Sequence, residues 1–307
     1  MRFLVTGGAG FIGSALANQL VANGHDVHVL DDLSIGKQKR LHPKVLFTQG
    51  DVDNIPLLWS LLHDVDCVYH LAARVSVAQS VLHPREYNRV NVGGTVSLME
   101  AMRDTGVRRV VFASSGAVYG RSAQPTIHED MPAQPDSPYA VSKRAAEQYI
   151  HTIGALSGIE TVALRIFNAY GPHQNLPLSH APVIPRFLQQ ALTGGSLVIF
   201  GDGSQARDFV YVTDVVAALS AAATTDNINR QNINIGSGVA ISMTELVNKV
   251  EQVTGRSVNR IYNLEKGGGV PRLEADLSRA AELLNFQPSV SISQGLQCIL
   301  AEDPRFQ

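Results

Sequence analysis

The chain has 307 residues, 45% hydrophobic and 17% charged, which suffices for about two domains with their own cores and excludes a disordered polypeptide. Lys plus Arg number 25 against 27 Asp plus Glu, a formal charge of −2 that argues against nucleic acid or an anionic membrane as the main partner. Two cysteines, Cys67 and Cys298, cannot build a disulfide framework, no Cys/His spacing suggests a metal, and no apolar run reaches bilayer-spanning length. The opening MRFLVTGGAG breaks into glycines too early for a signal peptide, so the expectation is a soluble cytoplasmic protein.

Phe3-Leu4-Val5 is a short apolar run stopped by Thr6-Gly7-Gly8 and predicts a buried strand. Ile12, Ala15, Leu16, Leu20 and Val21 recur at helical spacing and close on Gly24, predicting a helix over 12–23. Further strands are predicted over 27–30, 45–47, 66–71, 109–113 and 161–166, with long helices over about 84–105 and 139–156. This alternation of unbroken apolar strands with helices predicts an α/β fold, a doubly wound parallel sheet of the Rossmann type. Past Phe167, Pro172, Pro177, Pro182 and Pro185 predict a loop-rich departure from the first domain. Residues 208–223 and 233–235 read as a return to the sheet, followed by helices near 242–254, 278–284 and 291–303 and a loop at Gly267-Gly268-Gly269.

Gly7, Gly10 and Gly13 form GxxGxxG between the first strand and the first helix. Glycine permits a tight turn and close approach of backbone to a pyrophosphate, which the N–H groups and dipole of a helix N-terminus then favour. The second strand ends in Asp31, followed by Asp32; a carboxylate there accepts from an adenosine ribose 2′-OH and repels a 2′-phosphate, so NAD is expected over NADP. Tyr139 and Lys143 are four apart on the helix that Pro138 opens, hence one turn apart on one face. A tyrosine with its ordinary pKa of about 10 is a poor base, but a neighbouring ammonium and a positive nicotinamide ring favour its phenolate. Ser114-Ser115 directly follow the fifth strand, at the sheet end where open α/β folds place their sites.

These segments, with HLAA at 70–73, NVGGT at 91–95, ASSGAVYG at 113–120, RIFNAYGP at 165–172, VIPRF at 183–187, IFGDGSQARDFVYVTDV at 199–215 and NIGSG at 234–238, run in order along the whole chain. Together they resemble the extended short-chain dehydrogenase/reductases, in particular the nucleotide-sugar epimerase/dehydratase branch and its UDP-hexose 4-epimerases. The resemblance implies an NAD-binding domain of residues 1–168 and 209–235 and a smaller, discontinuous nucleotide-sugar domain of 169–208 and 236–307. On the cofactor side it implies backbone contacts from Phe11 and Ile12 to the pyrophosphate. Asp31, Leu33, Ser34 and Gly36 would surround the ribose, with Asp51 and Val52 at the adenine. Leu71, Ala72 and Ala73 would line the cofactor path, with Phe167 and Ser114 beside the cofactor and Asn91 holding the local conformation. Ser115, Tyr139 and Lys143 match the catalytic serine, base and lysine. Arg74 follows the cofactor path toward the substrate. Asn168 and Arg207 match diphosphate contacts, and Val183, Val198 and Phe200 match nucleotide contacts.

The same resemblance sorts the reactions. Dehydratases of the family carry an acidic pair, and its decarboxylases a glutamate, where this chain has Gly116-Ala117, so 4-epimerisation is expected: Tyr139 and Ser115 act at the sugar O4 around a transient 4-keto sugar. Two positions depart from the pattern. Lys266-Gly267-Gly268-Gly269 replaces the usual Arg-Pro-Gly-Asp loop, leaving Lys266 or Arg272 as the second diphosphate cation. Leu273 stands where strict glucose/galactose epimerases carry a tyrosine, which leaves room for a C2 N-acetyl group and UDP-GlcNAc/UDP-GalNAc. The alternatives are a 4-ketoreductase, a UDP-uronate 4-epimerase in which Arg74 meets the carboxylate, and an inactive NAD sensor. A homodimer through the helices at 84–105 and 139–156 is implied by the family alone, since Val96, Met99, Met102, Ala145 and Ala146 could equally face the sheet.

Overall fold

The computed structural model describes residues 1–122, 124–177, 181–265 and 272–307. Its strands are β1 (Arg2–Thr6), β2 (Asp26–Asp31), β3 (Leu46–Gln49), β4 (Cys67–His70), β5 (Arg109–Ser115), β6 (Thr126–Ile127), β7 (Glu160–Ile166), β8 (Asn168–Tyr170), β9 (Ser196–Phe200), β10 (Ala206–Tyr211), β11 (Gln231–Ile235), β12 (Ala240–Ser242), β13 (Asn259–Asn263) and β14 (Arg272–Ala275). The helices are α1 (Phe11–Ala22), α2 (Ile55–Leu61), α3 (Val77–Leu82), α4 (Pro84–Tyr87), α5 (Gly94–Thr105), α6 (Pro138–Ser157), α7 (Val183–Thr193), α8 (Val212–Thr224), α9 (Met243–Thr254), α10 (Ser278–Leu284) and α11 (Ile292–Glu302).

A seven-stranded parallel sheet in the order β11-β7-β5-β4-β1-β2-β3 forms the larger layer. Alternate residues of β1 enter two different cores, which is why the strand is apolar without a break. Phe3 and Val5 pack with Leu16, Leu20 and Leu219 on one face, and Leu4 packs with Leu98, Met102 and Ile150 on the other. The strand order reverses between β1 and β4, so the crevice at their carboxyl ends is the switch point where such sheets bind ligands.

The remaining strands build a smaller sheet, β12-β10-β14-β6 with β8 added on β10, and a separate β13-β9 pair. Their core gathers Phe187, Leu188, Leu197, Phe209, Leu246 and Leu296. The buried Asp208 carboxylate accepts from the Ser237 N–H and hydroxyl at 2.6 Å, the Gly238 N–H at 3.0 Å and the Ala275 N–H at 3.1 Å, fastening β10 to the turn after β11 and to β14.

The structure departs from the sequence expectations in three places. The long helix over 84–105 is α4, a π-helical turn at Asn88–Gly93, and then α5. The proline-rich stretch contains a helix, α7, because Pro182 is its N-cap and Pro185 lies in its first turn, where a missing N–H breaks no intrahelical bond. Strand β10 belongs to the smaller sheet, so the return to the larger one starts with α8 against α1 and ends with β11 at the sheet edge. Met99, Met102 and Ala146 are sheet-facing core and supply no interface. Gly267, Gly268 and Gly269 lie outside the described residues. No helix among the described residues is long and apolar enough to cross a membrane, and no described His, Cys, Asp and Glu cluster could hold a metal ion.

Candidate active site

A cleft along the carboxyl ends of β1, β2, β4 and β5 is lined by Gly7, Gly10, Phe11, Ile12, Gly13, Asp31, Asp32, Ser34, Gly36, Asp51, Val52, Leu71, Ala72, Ala73, Arg74, Ser114, Ser115, Tyr139, Lys143 and Phe167. The glycine loop is packed too closely for side chains. Gly7 has φ +69°, and a Cβ on Gly13 would sit 2.3 Å from the Gly7 carbonyl oxygen. Gly10 caps α1 with no side-chain bond, and the first helical bond runs from the Ser14 N–H to the Gly10 carbonyl. The N–H groups of Phe11, Ile12 and Gly13 thus face the cleft without helical partners, a donor set that fits a dinucleotide pyrophosphate.

Asp31 is buried. Its carboxylate accepts from the Ala9 N–H at 3.0 Å and the Leu33 N–H at 2.8 Å, so it braces the glycine loop and the following turn while lining the cleft. Burial raises its pKa against the lowering effect of those two bonds. Two cofactor-side residues do not reach the cleft wall. Leu33, at φ +59°, contributes the backbone N–H that Asp31 accepts, and Asn91 clamps Arg74 by accepting from its N–H at 2.8 Å and donating to its carbonyl at 3.0 Å. Burial pulls the Asp51 pKa up, but the Asp53 N–H, donating at 3.1 Å, and then Arg89, at 2.9 Å, bring it below its ordinary value.

Helix α6 delivers both Tyr139 and Lys143, started by Pro138 and capped by Ser137, whose hydroxyl accepts from the Ala140 N–H. The Ser115 hydroxyl accepts from the Ala117 N–H at 3.2 Å and shares a hydrogen bond with the Tyr139 phenol. Tyr139 is held edge-on to Tyr87 at 6.4 Å. The Lys143 ammonium donates to the Ala113 carbonyl at 2.8 Å and lies 4.7 Å from the Phe112 ring centre. Burial pushes this ammonium down to about 7 although Glu147 pulls it upward. Burial also raises the Tyr139 phenol, partly offset by its hydrogen bond to Ser115, in contrast to the expected lowering by Lys143.

Beneath the site lies a charged platform that the sequence reading missed. The hydroxyl of Ser114, which also lines the cleft, donates to Glu147 at 2.6 Å, and Arg165 donates to both Glu147 oxygens at 2.9 and 3.0 Å. Arg144 adds a bond to Glu147 at 2.8 Å, and Arg165 continues to the Tyr119 hydroxyl at 2.8 Å. The available signal was spacing: Glu147 follows Lys143 by four residues on the same helical face.

A second cleft, between α7, β9 and β10, brings together Asn168, Val183, Val198, Phe200 and Arg207 as expected, and adds Arg186, Gln205 and Phe209. The Asn168 amide donates to the Asp208 carbonyl at 2.7 Å, anchoring β8 on β10. Leu273 pairs with Arg207 across β14 and β10 and packs against the cluster of Val118, Tyr119 and Phe167. Arg272 meets Glu274 at 2.6 Å, which weakens the expectation that it compensates for the altered loop, and Lys266 lies outside the described residues. Arg74 is likewise engaged, by Glu86 at 2.7 Å.

The model of the NAD-dependent epimerase/dehydratase family matches residues 3–236. The chain belongs to that family. Among relatives, the UDP-glucose 4-epimerase of Mycolicibacterium smegmatis is 40% identical over 303 residues, covering 96% of each chain. Thermotoga maritima UDP-glucose 4-epimerase with UDP-glucose superposes with a TM-score of 0.92 at 35% identity, covering 98% of both chains. The UDP-N-acetylglucosamine 4-epimerase of Methanobrevibacter ruminantium gives 0.93 at 33% identity, covering 98% of this chain and 97% of that one. Family membership places the Rossmann sheet, NAD and isomerase chemistry together on this chain.

Proposed function

We propose that the chain is an NAD-dependent UDP-hexose 4-epimerase that interconverts UDP-glucose and UDP-galactose. The observation that carries the reading is the cleft itself: Ser115, Tyr139 and Lys143 stand at the end of the glycine-loop cleft, with Gly116 and Ala117 where an eliminating enzyme needs carboxylates. When bound, NAD supplies the acceptor and then the donor of the hydrogen at C4. Tyr139 takes the proton from the sugar O4 and Ser115 donates to the same oxygen; against the burial that raises the phenol, the Lys143 ammonium together with the positive ring of bound NAD would favour its phenolate. The second cleft anchors the nucleoside diphosphate through Asn168, Val183, Val198, Phe200 and Arg207 while the 4-keto sugar turns the other face of C4 toward the returning hydride and O4 takes its proton back from Tyr139. Strong contacts to the diphosphate and weak ones to the sugar suit that turn. We assign residues 1–168 and 212–235 to NAD and 169–211 and 236–307 to the nucleotide sugar, the boundary expected at 209 moving to 212 because β10 lies in the smaller sheet. The engagement of Arg74 by Glu86 disfavours a uronate substrate, and intact Ser115, Tyr139 and Lys143 disfavour a sensor.

The purified protein should convert UDP-galactose without added reductant and carry NAD with it. Tyr139→Phe should abolish turnover and leave NAD bound; retained activity removes Tyr139 as the base. Leu273 extends the range to UDP-GlcNAc and UDP-GalNAc. A homodimer through α6 fits the unpartnered stripe of Val141, Ala145, Tyr149 and Leu156, where Val141 is 52% and Leu156 83% exposed. Free Cys67 and Cys298 accord with a cytoplasmic location.

A further inference from the structure

His70 ends β4 with no solvent exposure and plays no part in the chemistry above, yet a continuous set of hydrogen bonds runs through it. On one side its Nδ1 lies 2.8 Å from Thr6 Oγ1, which also accepts from the Ala72 N–H at 3.3 Å. On the other its Nε2 lies 2.9 Å from Thr95 Oγ1. The Thr95 hydroxyl has one proton and gives it to the Asn91 carbonyl at 2.6 Å. Toward His70 that hydroxyl can therefore only accept, so Nε2 carries the imidazole proton. A neutral ring then leaves Nδ1 as an acceptor, filled by the Thr6 hydroxyl, and every donor in the series meets an acceptor. The series continues beyond Asn91: its amide donates to the Ser142 hydroxyl at 2.9 Å, and that hydroxyl donates to the Tyr139 carbonyl at 2.7 Å.

Thr6 directly precedes Gly7 of the phosphate loop, Ala72 lines the cofactor cleft, and Tyr139 is the proposed base. We propose that His70, as the neutral Nε2–H tautomer, is a positioning residue that fixes the cofactor-facing turn at 71–74 against the start of α6 and thereby sets the place of Tyr139. The proposal rests on Tyr139 being the base, whereas the tautomer stands independently of that assignment. The surroundings agree with a neutral ring: Phe112 stacks on it at 5.5 Å, and burial, then the nearby Lys143 ammonium, push its pKa down to about 3. The π-helical turn at Asn88–Gly93 puts the Asn91 carbonyl and amide within reach of Thr95 and Ser142 together, an irregularity of the kind that collects at functional sites.

Long-range ¹H–¹⁵N correlation spectra of ¹⁵N-histidine-labelled protein, with His70 assigned by its absence in His70→Asn, test the tautomer without any turnover. One imidazole with protonated Nε2 and shifts constant from pH 5 to 9 is expected; an Nδ1–H tautomer or a titrating ring overturns the proposal. Two variants then separate the arms. Asn offers an acceptor near the Nδ1 position and restores the Thr6 arm, whereas Gln offers a donor near Nε2 and restores the Thr95 arm. His70→Asn should lower kcat about 10-fold or more, leave KM for UDP-galactose unchanged and shift the pH–kcat profile, because Tyr139 loses its register. His70→Gln should rescue kcat to within about 3-fold and release NAD more readily. Equal losses of melting temperature in both, with kcat per folded molecule unchanged, overturn the proposal. A wild-type protein inactive on UDP-sugars but showing the expected spectrum refutes the reaction and leaves the tautomer intact.

Discussion

The Glu147→Gln exchange tests the charged platform under the active site most sharply. Glu147 is fully buried and Arg165 keeps 3% of its side chain exposed, so neither charge has water to fall back on. The carboxylate accepts from Ser114, Arg144 and twice from Arg165, and the neutral amide would leave the Arg165 guanidinium buried beside no counter-charge. Removing one partner of such a pair costs about 3–5 kcal/mol. At roughly 2–4 °C per kcal/mol for chains of this order of size, the melting temperature should fall by about 6–20 °C, measured by circular dichroism. Arg165→Met in the same chain removes the stranded charge, so the double variant should be more stable than the sum of the single effects by at least about 1–2 kcal/mol. Loss of Glu147 also removes the attraction that holds the Lys143 ammonium up. Its pKa should fall further below about 7, and the alkaline limb of the kcat/KM profile should move to lower pH. A Glu147→Gln protein within about 1 kcal/mol of wild type, or additive effects in the double variant, refutes the reasoning.

Other substitutions follow from the same geometry. Gly13→Ala puts a Cβ 2.3 Å from the Gly7 carbonyl oxygen, so the protein should purify with little or no NAD by absorbance of the acid extract. Leu273→Tyr should lower kcat/KM for UDP-GalNAc at least about 10-fold and spare UDP-galactose; parallel losses would show that Leu273 only packs. Lys143→Met bears on stability against pH in protein stripped of NAD. The folded pKa of Lys143 is depressed to about 7 from 10.5, so across that window the unfolded chain binds the extra proton. Stability contributed by the site rises with pH there, and the penalty of burying the ammonium is fully present below about 7. Any advantage of Lys143→Met in urea unfolding should therefore be largest below pH 7 and shrink by pH 10.

The parts legible in the sequence were those in which local chemistry and function coincide. The inner strands β1, β4, β5 and β7 of the larger sheet are mainly apolar runs because both faces are covered, and GxxGxxG names its own turn. The Tyr139–Lys143 spacing puts both residues on one helical face. Features set by tertiary context stayed hidden. Helix α7 was masked by Pro182 and Pro185, which look like breakers until their first-turn positions are known. Strand β10 looked like a return to the main sheet because its apolar residues serve the smaller core equally well. Leu33 and Asn91 sit in motifs around the cofactor but act on neighbouring backbone, a distinction that spacing cannot draw. Glu147, Arg165 and His70 each have partners far along the chain, so their roles exist only once the strands are assembled.

The central claim is that one cleft carries out a reversible oxidation at C4 and returns the same hydrogen. The direct measurement uses UDP-galactose deuterated at C4, incubated with the purified protein in ordinary water without added reductant and followed by NMR. The account predicts UDP-glucose that keeps the deuterium at C4 through many turnovers. Loss of the deuterium to solvent, or product formed only when reductant is supplied in stoichiometric amount, would contradict it.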